Sequence, residues 1–462
     1  MAVVPADALA AAVAALVDAL PDGVVVTDPD RTEKYRRDRS QDPHAGSPAA
    51  VVRAEDAAQV QTAVRWAAQH RVPVVPRGAG TGLSGGSSAV DGGIVLSLER
   101  MAAIEVDLTC HVAVVEPGAL NKDVKEAAAE HGLWYPPDPS SYEICSIGGN
   151  VATNAGGLCC VKYGVTSDYV LGLDVVLADG TLVTLGGRRI KDVAGLSLLK
   201  LFVGSEGTLG VVTRAILRLV PAQPARATLV ATFPTPRAAA RAVVAIRSTL
   251  RPSMLELMDQ PSIRAVEAFR PMGLDTAAGA LLVAQSDAPG TACAAEVETM
   301  RAACTAAGST DVLVTDDADE GELFVQARRM VIPAVERLGE LMLEDVGVPV
   351  PLLPDLVDAV ARVAERHRLS IPVIAHAGDG NTHPLVVVPR GDPDAKARAL
   401  VAFDEIMQAA IALGGTITGE HGVGRTKKSA LPAQLGEDVM ALTRRVKDAL
   451  DPDGILNPGA IL

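Results

Sequence analysis

At 462 residues the chain is too long for one compact core, so two or three domains are expected. Hydrophobic residues make up 48% and charged residues 21%, the balance of a globular protein with ample core. A formal net charge of −14 excludes a nucleic-acid-binding role built on basic surface, and no apolar run is long enough to span a membrane.

The N-terminal "MAVVPADALAAAVAALVDAL" lacks a basic leader and carries Asp7 and Asp18, so it reads as an amphipathic surface helix rather than a signal peptide. "AEDAAQVQTAVRWAAQH" has helical periodicity, and "VPVVP", "GGIVLSL" and "HVAVVEPG" read as short strands. "VLGLDVVLADGTLVTLG" is two strands joined at Asp179-Gly180, a hairpin signal, and "LGVVTRAILRLV" is a long strand before Pro221 and Pro224. A second pattern then runs strand, helix, strand through "RATLVATFPTPRAAARAVVAIRSTL" and "SMLELMDQ". The strand "GALLVAQSDA" and a helix from about Cys293 continue it, which predicts an antiparallel sheet with helices on one face. From about Gly436 a helix and an irregular tail, "DPDGILNPGAIL", end the chain.

None of Cys110, Cys145, Cys159, Cys160, Cys293 and Cys304 forms a C-x-x-C pair. That argues against iron–sulfur and zinc–thiolate sites and fits reduced thiols in the cytoplasm. The vicinal Cys159 and Cys160 read as small buried hydrophobes.

Three glycine-rich stretches carry the first chemical signal. "PRGAGTGLSGG", Pro76 to Gly86, satisfies G-x-G-x-x-G, but a strand rather than a helix follows it, so the dinucleotide reading through a helix N-terminus fails. Glycines this dense instead let consecutive backbone N–H groups face one side as an anion nest, with Arg77 adding positive charge. "SIGGNVATNAGG", Ser146 to Gly157, and "VGSEGTLGVVT", Val203 to Thr213, repeat the device. Three such stretches among apolar strands suit one large ligand with phosphates, a ribityl chain and a ring.

The second signal is histidine. "IAHAGDGNTHP" places His376 and His383 either side of "GDGN", and "TGEHGVG" adds Glu420 and His421. Seven residues apart on one straight strand the two rings would face opposite sides, so the intervening glycines must turn the chain to let them converge. Two imidazoles and a carboxylate with open positions suit a divalent metal, zinc, manganese or iron. His421 is the candidate general base.

The ordered strings "PRGAGTGLSGG", "PPDPSS", "SIGGNVATNAGG", "KYGVTSDYVLGL", "LFVGSEGTLG", "HAGDGNTHP", "GEHGVG" and "DPDGILNPG" resemble the vanillyl-alcohol-oxidase / p-cresol-methylhydroxylase superfamily. Within it they resemble the branch of glycolate oxidase D subunits, FAD-linked D-lactate dehydrogenases and D-2-hydroxyglutarate dehydrogenase, from about Pro48 to the end of the chain. The resemblance implies an α+β fold. An N-terminal helical segment (1–46) would precede a PCMH-type two-subdomain FAD-binding domain (47–221). A ferredoxin-like antiparallel-sheet substrate, or cap, domain (222–430) with the metal site would follow, and a C-terminal helical segment (431–462) would return to the flavin.

The implied FAD residues are Pro76, Arg77, Gly78, Ala79, Gly80, Thr81, Gly82 and Ser84, then Pro137, Asp138 and Ser141. Gly148, Gly149, Asn150, Thr153, Gly156, Glu206, Gly207, Val211, Asn381 and Asn457 complete the set. The first glycine loop has no histidine, so non-covalent FAD is expected. His376, His383 and Glu420 match the branch's metal ligands, for Zn or Mn, His421 its base, and Arg328 its clamp for the substrate carboxylate. Leu343 and Leu385 stand where the hydroxyglutarate branch has a lysine and an asparagine, which favours a monocarboxylic D-2-hydroxy acid such as lactate or glycolate.

With no internal iron–sulfur relay, electrons are expected to leave to an external acceptor: a quinone, a cytochrome or an electron-transfer flavoprotein. The candidate assembly is a homodimer, and the candidate location the cytoplasm or the inner face of the membrane. The competing readings are a flavin subunit of a multi-subunit glycolate oxidase, an oxygen-using oxidase, or a redox-neutral synthase on the same scaffold.

Overall fold

The computed structural model describes residues 5–462, so the first four residues of the expected N-terminal helix lie outside it. The chain forms two compact units. One comprises the chain up to Ala155, Val165–Ala222 and Glu420–Leu462; the other comprises Gly156–Gly164 and Gln223–Gly419.

In the first unit, strands β1 (Val25–Val26), β2 (Ala50–Arg53), β3 (Val74–Arg77) and β4 (Ile94–Ser97) form a sheet in the order β1-β2-β4-β3. The pairings of β4 with β2 and β3 are parallel. Parallel strands need a crossover, and the helix Ala57–His70 supplies it between β2 and β3, which flank β4. Asp56 caps its start by accepting from Gln59 N at 2.8 Å. The helix buries Val60, Ala63, Val64 and Ala67 against Ile94 and Leu96, and its Trp66 Nε1 donates to Ala12 O at 2.8 Å on the N-terminal helix Ala6–Ala19.

A second sheet in this unit uses β5 (Ile104–Asp107) and β6 (Val112–Val115), and then, after β7 (Leu133–Trp134), β8 (Val170–Val176), β9 (Leu182–Gly186) and β10 (Val211–Arg218). Its order is β5-β6-β10-β8-β9, antiparallel throughout, with β8 and β9 joined at the expected Asp179-Gly180 turn. β7 pairs instead with β11 (Val220–Pro221). The helix Glu437–Leu450 precedes the tail, which lies along β3: Val74 N donates to Ile455 O at 2.8 Å and Asn457 N to Val74 O at 2.7 Å.

One glycine-rich stretch differs from the expected loop. Ile147–Thr153, inside "SIGGNVATNAGG", is a short helix. Ser146 accepts from Gly149 N at 3.4 Å to begin it, and Asn154 at φ 53° ends it. A good cap at each end outweighs the poor helix propensity of two glycines.

The second unit is built on one antiparallel sheet. Its strands are β12 (Ala227–Phe233), β13 (Met254–Asp259), β14 (Ala280–Ser286), β15 (Asp311–Thr315), β16 (Glu340–Leu343), β17 (Val346–Gly347), β18 (Val373–His376) and β19 (Asn381–Val388). The order is β15-β12-β14-β13-β18-β19-β16, with β17 also on β19. Helices cover both faces, not one. Ile263, Val266, Val325 and Val331 pack with Met258, Ile374 and Leu385 on one face. Leu255 and Leu257 point the other way and are equally buried, on the side of the helices Pro236–Thr249 and Thr291–Ala306. Every residue of β13, β14 and β19 is buried, so alternation of apolar and polar residues could not mark these strands.

Candidate active site

In the first unit the three glycine-rich stretches, far apart in sequence, meet. A Cβ on Gly78 would lie 2.2 Å from Ser146 Oγ, one on Gly207 2.9 Å from the Pro76 ring, and one on Gly86 3.0 Å from Glu206 Oε2. Ser146 Oγ also accepts from Ala79 N at 3.1 Å. Side chains of one stretch therefore approach the backbone of another as only glycine allows. Asn121 bridges a further pair of expected contacts, donating to Pro137 O at 3.2 Å and to Asn150 Oδ1 at 3.0 Å. Asn457 Nδ2 reaches Gly86 O and Glu206 O, each at 2.7 Å, while its buried Oδ1 has no partner among the described residues. A cradle of glycine backbone with an unsatisfied buried amide oxygen fits a large polar cofactor.

Arg77 does not extend over this cradle. Its guanidinium is buried beneath the loop, 3.4 Å from Ser87 O and Oγ, and it fills the place a side chain at Gly80 would take. Burial lowers the Arg77 pKa and raises that of Asp38, and each charge partly offsets the other's shift.

Glu206, expected as a flavin contact, engages the "GEHGVG" backbone. Its two oxygens accept from Val423 N at 2.7 Å and Gly424 N at 2.8 Å. Burial pushes its pKa up to about 7, against the opposing pull of those two N–H groups. Ser84 holds the same segment from the other side: its Oγ donates to His421 O at 2.9 Å, and its carbonyl accepts from Arg425 N at 2.8 Å. Gly422 (φ 84°) and Gly424 (φ 51°) are therefore needed twice, for backbone conformation and because a Cβ on Gly424 would sit 2.0 Å from Ser84 O. The glycines around His421 thus seat the segment on the first and third glycine loops.

The second unit holds the histidines. The turn "GDGN" folds β18 back on β19 so that His376 pairs with Asn381 and Ile374 with His383. Opposite residues share a face and so do residues two apart, so His376 and His383 lie diagonally on one side. Their ring centroids are 5.1 Å apart and nearly perpendicular. Convergence through a turn is thus what the structure has.

Two carboxylates absent from the sequence reading stand behind these rings. On β13, Leu257 pairs with Ala375 and Met258 with Ile374, a register that sets Glu256 opposite His376. Glu256 Oε1 lies 2.9 Å from His376 Nδ1, and its Oε2 2.9 Å from Arg328 Nε. Arg328, at the end of the helix Ala318–Arg329, is 2% exposed and ion-paired rather than an exposed helix arginine. Asp345 is the second: its Oδ1 lies 3.6 Å from His383 Nδ1, and its Oδ2 accepts from Thr418 Oγ1 at 2.7 Å and Gly419 N at 2.9 Å. For Glu256 the signal available in sequence was an acid in the middle of an apolar strand, "SMLELMDQ", since such acids are rarely buried without a partner.

Leu343 and Leu385 are cross-strand partners in this unit, and Leu385, two residues from His383, shares its face. Gly156 is grouped with this unit, whose segment Gly156–Gly164 is fastened where Lys162, Tyr163 and Gln223 all bond Asp287. The boundary between units falls inside "TGEHGVG", after Gly419, which leaves Glu420 and His421 with the first.

Comparison with known proteins finds two family matches along the chain, the second of which runs past Gly419 into the part that folds with the first unit. Residues 48–186 match the FAD binding domain family, and residues 222–461 match the C-terminal domain of FAD linked oxidases. The chain belongs to the FAD-linked oxidase family. It is 41% identical over 415 residues to the glycolate oxidase subunit GlcD of Bacillus subtilis (strain 168), covering 89% of this chain and 88% of that one. It is 34% identical over 424 residues to the D-lactate dehydrogenase of Archaeoglobus fulgidus, covering 91% and 93%. Among solved structures, p-cresol methylhydroxylase with substrate bound superposes with a TM-score of 0.83 at 18% identity over 99% of this chain and 97% of that one, which shows the PCMH-type fold. This FAD-linked oxidase is therefore an FAD-binding oxidoreductase. Among the described residues no helix is long and apolar enough to cross a membrane.

Proposed function

We propose that this oxidoreductase oxidises a D-2-hydroxy monocarboxylate, lactate- or glycolate-like, to the 2-oxo acid, using non-covalent FAD and a divalent metal, Zn or Mn. The observation that carries the reading is the pair of converging imidazoles, one of which has its Nδ1 against a carboxylate. That arrangement leaves Nε2 to serve as a ligand, as metal-binding histidines commonly do. Glu420 is the proposed third ligand. It is one peptide bond beyond Gly419, whose N–H is held by Asp345, the acid beside His383.

FAD, when bound, supplies the hydride acceptor, and the metal supplies Lewis acidity toward the substrate hydroxyl. The chain's own residues do the rest. His421 takes the hydroxyl proton, Arg328 offers the guanidinium for the carboxylate, and the apolar Leu343 and Leu385 disfavour a second carboxylate. Glycine backbone of the first unit holds the cofactor, and with no histidine in the first loop, acid precipitation should leave yellow FAD in the supernatant. The test of substrate is steady-state turnover of D- and L-hydroxy acids with a dye acceptor. D-lactate or glycolate should exceed D-2-hydroxyglutarate in kcat/KM; the reverse order would refute the substrate assignment.

One observation favours a second reading, in which the chain works as a subunit. The segment after β9 exposes Ile190, Val193 and Leu196 at 72%, 98% and 85%, an apolar run that a protein partner would cover. Co-purification from the native host separates the two: a stoichiometric partner supports the subunit reading, and full activity of the purified chain alone refutes it.

A further inference from the structure

We propose that Glu256 is a positioning residue that sets two parts of the site at once, the orientation of the His376 imidazole and the placement of the Arg328 guanidinium. This rests on the reading of His376 as a metal ligand given above.

The geometry is specific. Glu256 is 1% exposed on a strand buried on both faces, where an acid has no structural reason to be unless its charge is matched. One carboxylate serves two side chains: both oxygens face His376 Nδ1, at 2.9 Å (Oε1) and 3.0 Å (Oε2), and Oε2 also lies 2.9 Å from Arg328 Nε. Opposite register on β13 and β18 delivers the first contact without any loop, so both partners sit on rigid sheet. A carboxylate paired with a guanidinium accepts hydrogen bonds and does not donate. The contact therefore keeps the imidazole proton on Nδ1, fixes the ring plane and directs the Nε2 lone pair away from Glu256. The second contact is an ion pair that places the Arg328 cation beside the same buried carboxylate. Removing Glu256 should loosen a metal ligand and a substrate-binding cation together, which a purely structural ion pair would not do.

The test measures Zn²⁺ affinity by titration of metal-depleted, FAD-loaded enzyme, with thermal melting alongside. Glu256→Gln removes the charge but leaves Arg328 buried without its counter-ion, and this variant alone could simply fail to fold. The second variant combines Glu256→Leu with Arg328→Met, replacing the buried ion pair by apolar side chains of similar size, a change that proteins often tolerate. The wild type should bind one Zn²⁺ tightly. The double variant should melt near the wild type yet bind Zn²⁺ about 10–100-fold more weakly, the usual effect of losing the partner of a ligating histidine. Where Glu256→Gln folds, it should also raise the KM for D-lactate, with its flavin absorbance unchanged. Zn²⁺ affinity in the double variant equal to the wild type would overturn the proposal while leaving the metal site standing. A wild type that binds no Zn²⁺ or Mn²⁺ would overturn the metal reading itself, and Glu256 would be a structural ion pair.

Discussion

The two units of this FAD-linked oxidase satisfy their buried polar groups in opposite ways. In the first, the glycine-rich segments are held chiefly by their main-chain groups: Ser84 and Glu206 together hold four residues of the segment His421 to Arg425, all but Gly422, by main-chain groups. In the second, side chain meets side chain: His376, Glu256 and Arg328 form one chain of contacts, and His383, Asp345 and Thr418 another. The first device requires glycine wherever backbones come close, so it leaves a motif. The second requires only one acid at the right register of a sheet, so it leaves almost none. The first builds a shape for a large cofactor, and the second fixes the orientation of a few buried side chains.

The contrast can be broken by substitution, and the largest effect belongs to His421, the proposed proton acceptor. His421→Ala removes a side chain but none of the main-chain contacts that seat its segment, so FAD content should be unchanged. The rate of flavin reduction should fall by about 10²–10⁴, the range for a lost general base. Rapid-mixing anaerobic kinetics would measure it. A variant that loses FAD would place the residue in cofactor binding instead.

Next in size is the glycine device itself. Gly424→Ala forces a side chain to φ 51° and within 2.0 Å of Ser84 O, whereas Gly132 has φ 69° with nothing within 4 Å. The first change should cost more than about 2 kcal/mol, and the second about 1 kcal/mol, the conformational term alone. Denaturant unfolding of both variants would decide it, and equal costs would show that close approach is not what requires glycine at Gly424.

A pH effect sharpens the role of Glu206. Its folded pKa is raised to about 7 from an ordinary value of 4.5. The native state therefore keeps this proton after the unfolded chain has lost it. The stability this contributes is complete below about pH 4.5 and is lost as pH rises to about 7, with a span of about 3 kcal/mol. In the FAD-free protein, unfolding free energy should fall between pH 5 and 7, and Glu206→Gln should flatten that slope. An unchanged slope in the variant would assign the titration to another group.

These cases also explain how much the sequence disclosed. The three glycine stretches, the hairpin at Asp179-Gly180 and the turn between His376 and His383 were legible because turns and close backbone approaches need particular residues. The helix at Ile147–Thr153 was not, because its caps, Ser146 and Asn154, stood among glycines that argued for a loop. The covering of both faces of the second unit's sheet was hidden by strands buried from end to end. Arg328 could be picked out only by resemblance, and Glu256 only as an acid in an apolar strand, with no pointer to its partners. Pairing across β13 and β18 is a long-range fact that no local pattern encodes.

The central claim is that the second unit's histidines serve a metal required for substrate oxidation and not for cofactor binding. Anaerobic flavin reduction by D-lactate tests it most directly, on enzyme stripped with a chelator and then resupplied with Zn²⁺ or Mn²⁺. The stripped enzyme should keep its FAD, reduce it only slowly, and recover on adding metal. Metal-free enzyme that reduces its flavin at the full rate would contradict the account.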